Sequence, residues 1–509
     1  MRISLISTST YPSDQGLRTI SSSLKNNNHK VKLIFLPENE NYNKKYSTKV
    51  LKQLSKLVVD SNLIGISSYA STSIRARQII NYLKNLNIPI IYGGIHATIS
   101  PNLCIQDADL VLIGEGEESI VELANNLEKN KDITKIKNLW IKKFGKLYKN
   151  ELHPLIQNLD SLPFPDYELE NHYILEKNKI IKFKERHLNG QIFFLTGRGC
   201  PHACTYCSNA FLDNLYQGKN KFIRFHSNDY IINCLFYLKT KFKSLKFFDF
   251  RDDVFFMRTK EQLRDFCIKY KQKINMRFKA LIDPHTADEE KISMLVNAGC
   301  TDIIVGIQGS EKTNKEIYKR YQTDEQVLKS AYILNKYKNK LTVMYDIITC
   351  NPYERPEDII NQIRLLQRIP KPYFLSVNNL VFFTGSELYN KAKYDNVIKK
   401  EKDSAYDLNY WDRFKHIKLK RKNEYLVLIL NLMRGVVTKS RFGILPNFLI
   451  NFLLRKGLVR FNLRHKSLTY LIGSLVGIYD SFRENIMKPI YHSLPTNFKT
   501  YYDKVRYKI

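Results

Sequence analysis

Long apolar runs are what this 509-residue chain most plainly lacks. Towards its C-terminal end the stretches 425–433, 442–454 and 468–479 are apolar, yet each falls short of the about twenty residues that a membrane-spanning helix needs. No cleavage-site pattern opens the chain. Arg2 leads into a strand-like run at 3–7, so no secretory signal is expected. Cysteine is sparse outside one loop. Of the eight, Cys104, Cys234, Cys267, Cys300 and Cys350 are scattered without a C-x2-C pair, which argues against a second metal cluster. Both absences predict a reducing, cytoplasmic setting. Acidic residues are also few, 49 Asp and Glu against 81 Lys and Arg, for a formal net charge of +32. That excess is spread along the whole chain, whereas a nucleic-acid interface gathers it into a stripe, so a nucleic-acid partner is disfavoured. Hydrophobic residues make up 43% of the chain, which excludes a disordered polymer. The length leaves room for about two to four domains.

What is concentrated is one loop, Gly199-Cys-Pro-His-Ala-Cys-Thr-Tyr-Cys207, directly after an apolar, strand-like run at 191–195. It holds Cys200, Cys204 and Cys207 in a C-x3-C-x2-C spacing. Cysteine thiolates carry iron–sulfur clusters, most often four of them. Three from one loop would leave one iron of a cubane open to a substrate or cofactor. Structural zinc is the competing reading, with His202 as a fourth ligand, although such sites normally use two separated pairs. Three buried structural cysteines are the remaining alternative.

With Tyr206 as the aromatic, C-x3-C-x-(aromatic)-C resembles the signature of the radical S-adenosylmethionine (SAM) enzymes. The resemblance implies a 4Fe–4S cluster whose open iron binds SAM through its amino and carboxylate groups. It also implies reductive cleavage of SAM to a 5′-deoxyadenosyl radical, with Tyr206 near the adenine. Asp252 and Asp253 end an apolar strand at 245–250. Paired aspartates commonly cap a helix or form a solvated turn. Here they resemble the family's segment beside the methionyl group of SAM. Gln308, within Gly306-Ile-Gln-Gly-Ser310, resembles a position that contacts a ribose or carboxylate, with Gly309 and Ser310 in inverted order. Residues 345–354 and 382–389 resemble the turns that close the SAM site and end the core.

Residues 1–140 alternate strand candidates, at 3–7, 31–36, 63–67, 88–92 and 110–113, with helix-like patterns such as 71–86. That alternation predicts a doubly wound, Rossmann-like parallel sheet, which binds ligands beyond the carboxyl ends of its strands. Ser67 and Ser68 follow the third strand, and Gly93, Gly94 and His96 the fourth. Gly114, Glu115, Gly116 and Glu117 follow the fifth. Glycine lets a backbone approach a bulky ligand closely, and equally serves a tight strand-to-helix turn. Ahead of the cysteine loop, the segment resembles the cobalamin-binding domain of many radical SAM enzymes. The resemblance implies that these residues surround the nucleotide tail and corrin, with His96 at the cofactor's edge. The Asp-x-His-x-x-Gly motif that supplies a lower histidine in other cobalamin proteins is absent, since the first turn reads Ser13-Asp-Gln-Gly-Leu-Arg18.

The expected organisation is a cobalamin domain at 1–140 and a proline-bearing linker at 141–190 running extended over the surface. A partial (β/α)6 TIM-type radical SAM barrel at 191–395 and a mainly helical region at 396–509 follow. The expected function resembles class B methyltransferases: methylation of an unactivated carbon of a small-molecule or lipid substrate through methylcobalamin. A flavodoxin- or ferredoxin-type electron donor would support it. A ring-forming or oxidising relative without methyl transfer is the first alternative, and a non-catalytic corrinoid or redox sensor the second. A tRNA methylthiotransferase is disfavoured, because only Cys104 precedes the loop where that family carries an N-terminal cysteine triad. Basic residues crowd the apolar stretches of the last region, near Trp411. They fit a helical cap on the core, or peripheral contact of 418–480 with the inner membrane face.

Overall fold

The computed structural model describes residues 1–37, 45–253, 255–400, 403–405, 417–464, 471 and 473–474. Trp411 and nearly all of the apolar stretch 468–479 lie outside the described residues.

A first sheet contains β1 (Arg2–Ser7), β2 (Lys30–Phe35), β3 (Leu63–Ser67), β4 (Ile90–Gly93) and β5 (Leu110–Leu112). The later strands β6 (Leu139–Lys143), β7 (Lys146–Lys149), β8 (His172–Glu176) and β9 (Lys179–Lys182) join it at its edges. The order is β7-β6-β5-β4-β3-β1-β2-β8-β9. Neighbours from β5 through β8 are parallel, and antiparallel hairpins finish both edges. Strands buried on both faces read as near-continuous apolar runs, as β1 and β3 do. Leu5, Leu33 and Leu63 fill the core on one side, and Ile6, Ile34 and Ile64 on the other. The chain order reverses between β1 and β3, the position at which open α/β sheets hold ligands. The helix Gln15–Asn26 begins there because Asp14 accepts the Leu17 N–H, and Ser7 fixes Asp14 by donating across 2.7 Å.

The segment 141–190 departs from the expected surface linker. Its two hairpins complete the first sheet, and the stretch between them bonds to both halves, the Phe164 carbonyl accepting from Ser22 at 2.6 Å and the Pro163 carbonyl from Tyr230 at 3.1 Å. Leu159 and Tyr167 are buried, and the Arg18 guanidinium lies 4.0 Å above the Tyr167 ring while donating to the Asp166 carbonyl at 2.6 Å. Without ladder partners, this backbone is satisfied in part by Arg18 and Ser22 of the first helix and by Tyr230. Periodicity could not reveal that.

The second domain is built on β10 (Gln191–Phe194), the small antiparallel pair β11 (Gly197–Arg198) and β12 (Arg224–Phe225), and five further strands. These are β13 (Phe247–Phe250), β14 (Arg277–Ile282), β15 (Cys300–Gln308), β16 (Thr342–Thr349) and β17 (Tyr373–Asn379). The series β10-β13-β14-β15-β16-β17 is parallel, and helix follows each strand, after β10 by way of β11 and the cysteine loop. Thr259 with Gln262, and Thr323 with Gln326, start two of those helices through capping boxes. The described part of the last region is mainly helical, as expected, in the helices Arg421–Met433, Asn447–Leu453 and Lys456–Arg464. Beside its helices, three short strands, β18 (Gly435–Val437), β19 (Arg441–Phe442) and β20 (Leu445–Pro446), extend the second sheet antiparallel from β17. Strands of two or three residues carry no readable period. The helix Arg421–Met433 packs on Pro356–Arg368 and buries Leu426, Ile429, Leu430 and Met433. Leu24, Phe35 and Tyr167 of the first half share one apolar core with Ile192, Ile231 and Leu235 of the second.

Candidate active site between two domains

The cysteine loop joins β11 to the helix Ser208–Leu215 and is held from three directions. Gly199, at φ +93°, passes so close to the next strand that a Cβ would stand 2.4 Å from the Phe222 carbonyl oxygen. Thr205 donates its N–H to the Tyr318 carbonyl at 3.0 Å and its hydroxyl to the Ile317 carbonyl at 2.7 Å. Leu388 N–H in turn donates to Thr205 at 2.9 Å. Tyr206 meets Tyr318 edge-on, with ring centroids 4.9 Å apart. Arg320 lies 3.9 Å from the Cys204 sulfur and pairs with Asp283. His202 turns to the same Asp283, 3.0 Å away.

Burial pushes the thiol of Cys200 up to about 12 and that of Cys207 to about 11. Thiolates here therefore need a strong counter-charge, which iron supplies. Among the described residues no three His, Cys, Asp or Glu converge as the ligand set of a single ion. In a cubane each thiolate binds a different iron, so the sulfurs need not converge. The three cysteines fit a cluster better than the mononuclear zinc site held open above.

The aspartate pair divides. Asp252 is buried and accepts both the N–H and the hydroxyl of Thr196, at 2.8 and 2.7 Å, which ties the end of β13 to the start of the cysteine loop. That bond gives Asp252 a positioning duty through one oxygen, while its other oxygen, Oδ2, is buried without a hydrogen-bond partner. Asp253 instead lines the cleft, where burial raises its carboxyl despite a hydrogen bond with Asn209. Gln308 ends β15 in the left-handed region, φ +64°, a conformation that costs energy for a side-chain-bearing residue. Its carbonyl accepts from Gln362 at 3.0 Å.

The first domain supplies the facing wall. A cleft of about 440 Å³ is lined by Ser67, Ser68, Gly93, Gly94 and the 114–117 turn from one side. Gly197, Gly199, Asn209, Tyr216, Arg224 and Asp253 line it from the other. Gly94, at φ +88°, leaves bare backbone, since a Cβ there would meet Ser67 Oγ at 2.7 Å and Ser68 O at 3.0 Å. Gly94→Ala is expected to lose cobalamin, read as a missing corrinoid absorbance after reconstitution, while the iron content stays that of the native protein. His96 is buried, its ring centre 6.0 Å from that of Tyr92, and burial lowers it to about 4. It is not part of the cleft wall. An apolar turn after a strand can direct a loop residue inward, and spacing alone does not report which way.

Glu115 and Glu117 have a second duty that their sequence does not announce. Glu115 pairs with Arg224 at 2.7 Å and Arg198 at 2.9 Å, and Glu117 with Arg198 at 2.5 Å. Burial pulls Glu115 upward, but Arg224 and Arg198 prevail and hold it below the usual carboxylate range. Tyr216 adds its hydroxyl, which accepts the Glu115 N–H at 3.0 Å. Gln15 donates to the Leu195 carbonyl at 3.0 Å and accepts the Leu195 N–H at 2.7 Å. Arg198, Arg224, Tyr216 and Gln15 thus clasp the domains together. The only signal for them in the sequence was charge complementarity between an acidic turn and an arginine two residues before Cys200.

Glu354, in the turn after β16, is 4% exposed and accepts from Thr313 at 3.1 Å. Burial raises it from 4.5 to about 8, so it is neutral at pH 7. The folded state binds this proton more tightly than the unfolded chain. Its stabilising contribution is therefore complete below pH 4.5 and is lost as pH rises to about 8. Thermal unfolding of Glu354→Gln should lack that decline, so the variant gains on the native protein as pH rises from 4.5 to about 8.

Residues 1–124 match the B12 binding domain family, and residues 194–366 the radical SAM superfamily. Over 347 residues the chain is 26% identical to an uncharacterized methyltransferase of Pyrococcus horikoshii, covering 67% of this chain and 71% of that one. It is 20% identical over 359 residues to bacteriochlorophyllide d C-8(2)-methyltransferase of Chlorobaculum tepidum, covering 68% and 72%. Its fold is similar to that of the radical SAM methyltransferase TsrM from Kitasatospora setae with cobalamin and a [4Fe-4S] cluster bound. The TM-score is 0.63 at 15% identity, covering 79% of each chain. The chain is a cobalamin-binding domain fused to a radical SAM domain. It is a radical SAM enzyme, and its cofactors are a 4Fe–4S cluster, SAM and cobalamin.

Proposed function

We propose that this enzyme methylates a carbon of a small-molecule or lipid substrate. The observation that carries the reading is the shared cleft: the cobalamin-domain turns and the residues flanking the cysteine loop line one space between the domains. When bound, the cluster and SAM supply a carbon-radical oxidant, and cobalamin supplies a transferable methyl group. Cys200, Cys204 and Cys207 would hold the cluster, with Arg320 beside Cys204 offsetting its charge. Tyr206, Asp253 and Gln308 would border SAM, and Gly93, Gly94, Ser67 and Ser68 the corrin. Asp252 and Thr196 fix the loop entrance. The clasp residues keep the two walls of the cleft in register and exclude water between them.

Six parallel strands, each followed by helix, support a partial (β/α)6 TIM-type barrel, with the reacting groups at the strand carboxyl ends. No helix among the described residues is long and apolar enough to cross a membrane. An oxygen-sensitive cluster that needs an external electron supports a cytoplasmic setting and a flavodoxin- or ferredoxin-type donor. The test is anaerobic reconstitution with iron, sulfide and cobalamin, then turnover with SAM labelled in its methyl group. Label in a substrate carbon is expected. Formation of 5′-deoxyadenosine with no label transferred favours the cyclising or oxidising alternative, and no 5′-deoxyadenosine the sensor.

A further inference from the structure

We propose that the face built by the helices Asn447–Leu453 and Lys456–Arg464 docks the enzyme on an anionic membrane surface. In the first of these helices Ile450 is fully buried, which seats the helix on the domain. Phe448 and Phe452, one helical turn apart, are 69% and 45% exposed. Phe461 and Leu471, later in the same region, are 50% and 57% exposed. Paired exposed phenylalanines on one helix face exceed the single apolar residues scattered over ordinary surfaces.

The charge around them selects the occupant. The Arg455 guanidinium lies 5.4 Å from the centre of the Phe452 ring, and exposed Lys456 and Arg460 follow along the next helix. Lys439 and Arg441 sit on the adjacent hairpin, which Asn447 joins by donating to the Lys439 carbonyl at 3.4 Å. Residues 417–464 hold eleven Lys and Arg against the single acidic Glu424. Elsewhere in the chain cations alternate with acids in many ion pairs. Exposed phenylalanines with cations around them suit the boundary between lipid headgroups and acyl chains. There the rings enter the apolar layer and the long basic side chains reach the phosphates. A nucleic-acid backbone would use the cations but leave the phenylalanine surface largely uncovered.

The test floats the reconstituted full-length enzyme with phosphatidylcholine vesicles, with or without added phosphatidylglycerol. Co-flotation is expected only with the anionic vesicles, weakening as salt rises above about 0.1 M. Phe448→Ser combined with Phe452→Ser should lower vesicle affinity on the order of tenfold or more. Arg455→Ala combined with Lys456→Ala should lower it about fivefold per residue. Both variants alter exposed side chains and should unfold at the native temperature. If the phenylalanine variant does not fold, the Arg455 and Lys456 variant decides. Equal flotation with neutral vesicles, undiminished flotation of the variants, or no flotation of the native enzyme with anionic vesicles overturns the proposal. Tight binding of a DNA oligonucleotide in place of vesicles overturns it too and reassigns the surface.

Discussion

Alanine at any one of Cys200, Cys204 and Cys207 is expected to reduce 5′-deoxyadenosine formation to background, with loss of iron and sulfide from anaerobically reconstituted protein. The loop is pinned by Gly199, Thr205 and Leu388 independently of its thiols, so the variants should still fold. Their loss is therefore chemical. A carboxylate such as the nearby Asp253 is a harder donor and a poor substitute for a thiolate on a cluster iron. His202 pairs with Asp283 at 3.0 Å instead of turning to the sulfurs. His202→Ala should accordingly keep its iron and sulfide, whereas a zinc site using His202 as a ligand would lose its metal. Iron and labile-sulfide assays on the four variants decide between these outcomes.

Glu115→Ala should be the most damaging single change in the cobalamin domain. It strands Arg224, 5% exposed, and leaves Arg198 with Glu117 as its remaining ion-pair partner. Removing one partner of a buried ion pair costs about 3–5 kcal/mol, because the remaining charge is neither solvated nor paired. Thermal unfolding should show a loss of that order. Adding Arg224→Ala should recover part of it, with the coupling read from a double-mutant cycle. The clasp also sets the two cleft walls against each other. The same variant should therefore waste SAM, raising the ratio of 5′-deoxyadenosine to methylated product, even where its cofactor content is native. A purely structural role would lower both products together.

Legibility followed the physics of each feature. The parallel strands of both domains were readable because a strand buried on both faces must be a short apolar run. The cysteine loop was readable because cluster chemistry needs three thiolates within a few residues. Asp252 and Asp253 could not be told apart, since adjacent residues at a strand end point in opposite directions and only packing says which one meets the cleft. That His96 is buried rather than lining the cleft was likewise not legible in its spacing. The hairpins at 139–149 and 172–182 and the strands after 434 were missed, because edge strands half in solvent or only two residues long have no periodic pattern.

Sequence alone determined the chemistry: three thiolates in one loop, bare-backbone turns after successive strands, and an order of elements that yields two α/β domains. Covalent spacing and apolar periodicity are local, and they survive without any knowledge of the fold. Tertiary structure decided which acid does what. Glu115 and Glu117 line the cleft and also hold the arginines across it, Asp252 holds Thr196, and Asp253 lines the cleft without an arginine partner. A carboxylate's role depends on whether an arginine more than eighty positions away, or only the cleft, lies within hydrogen-bonding reach, and only folding brings such groups together.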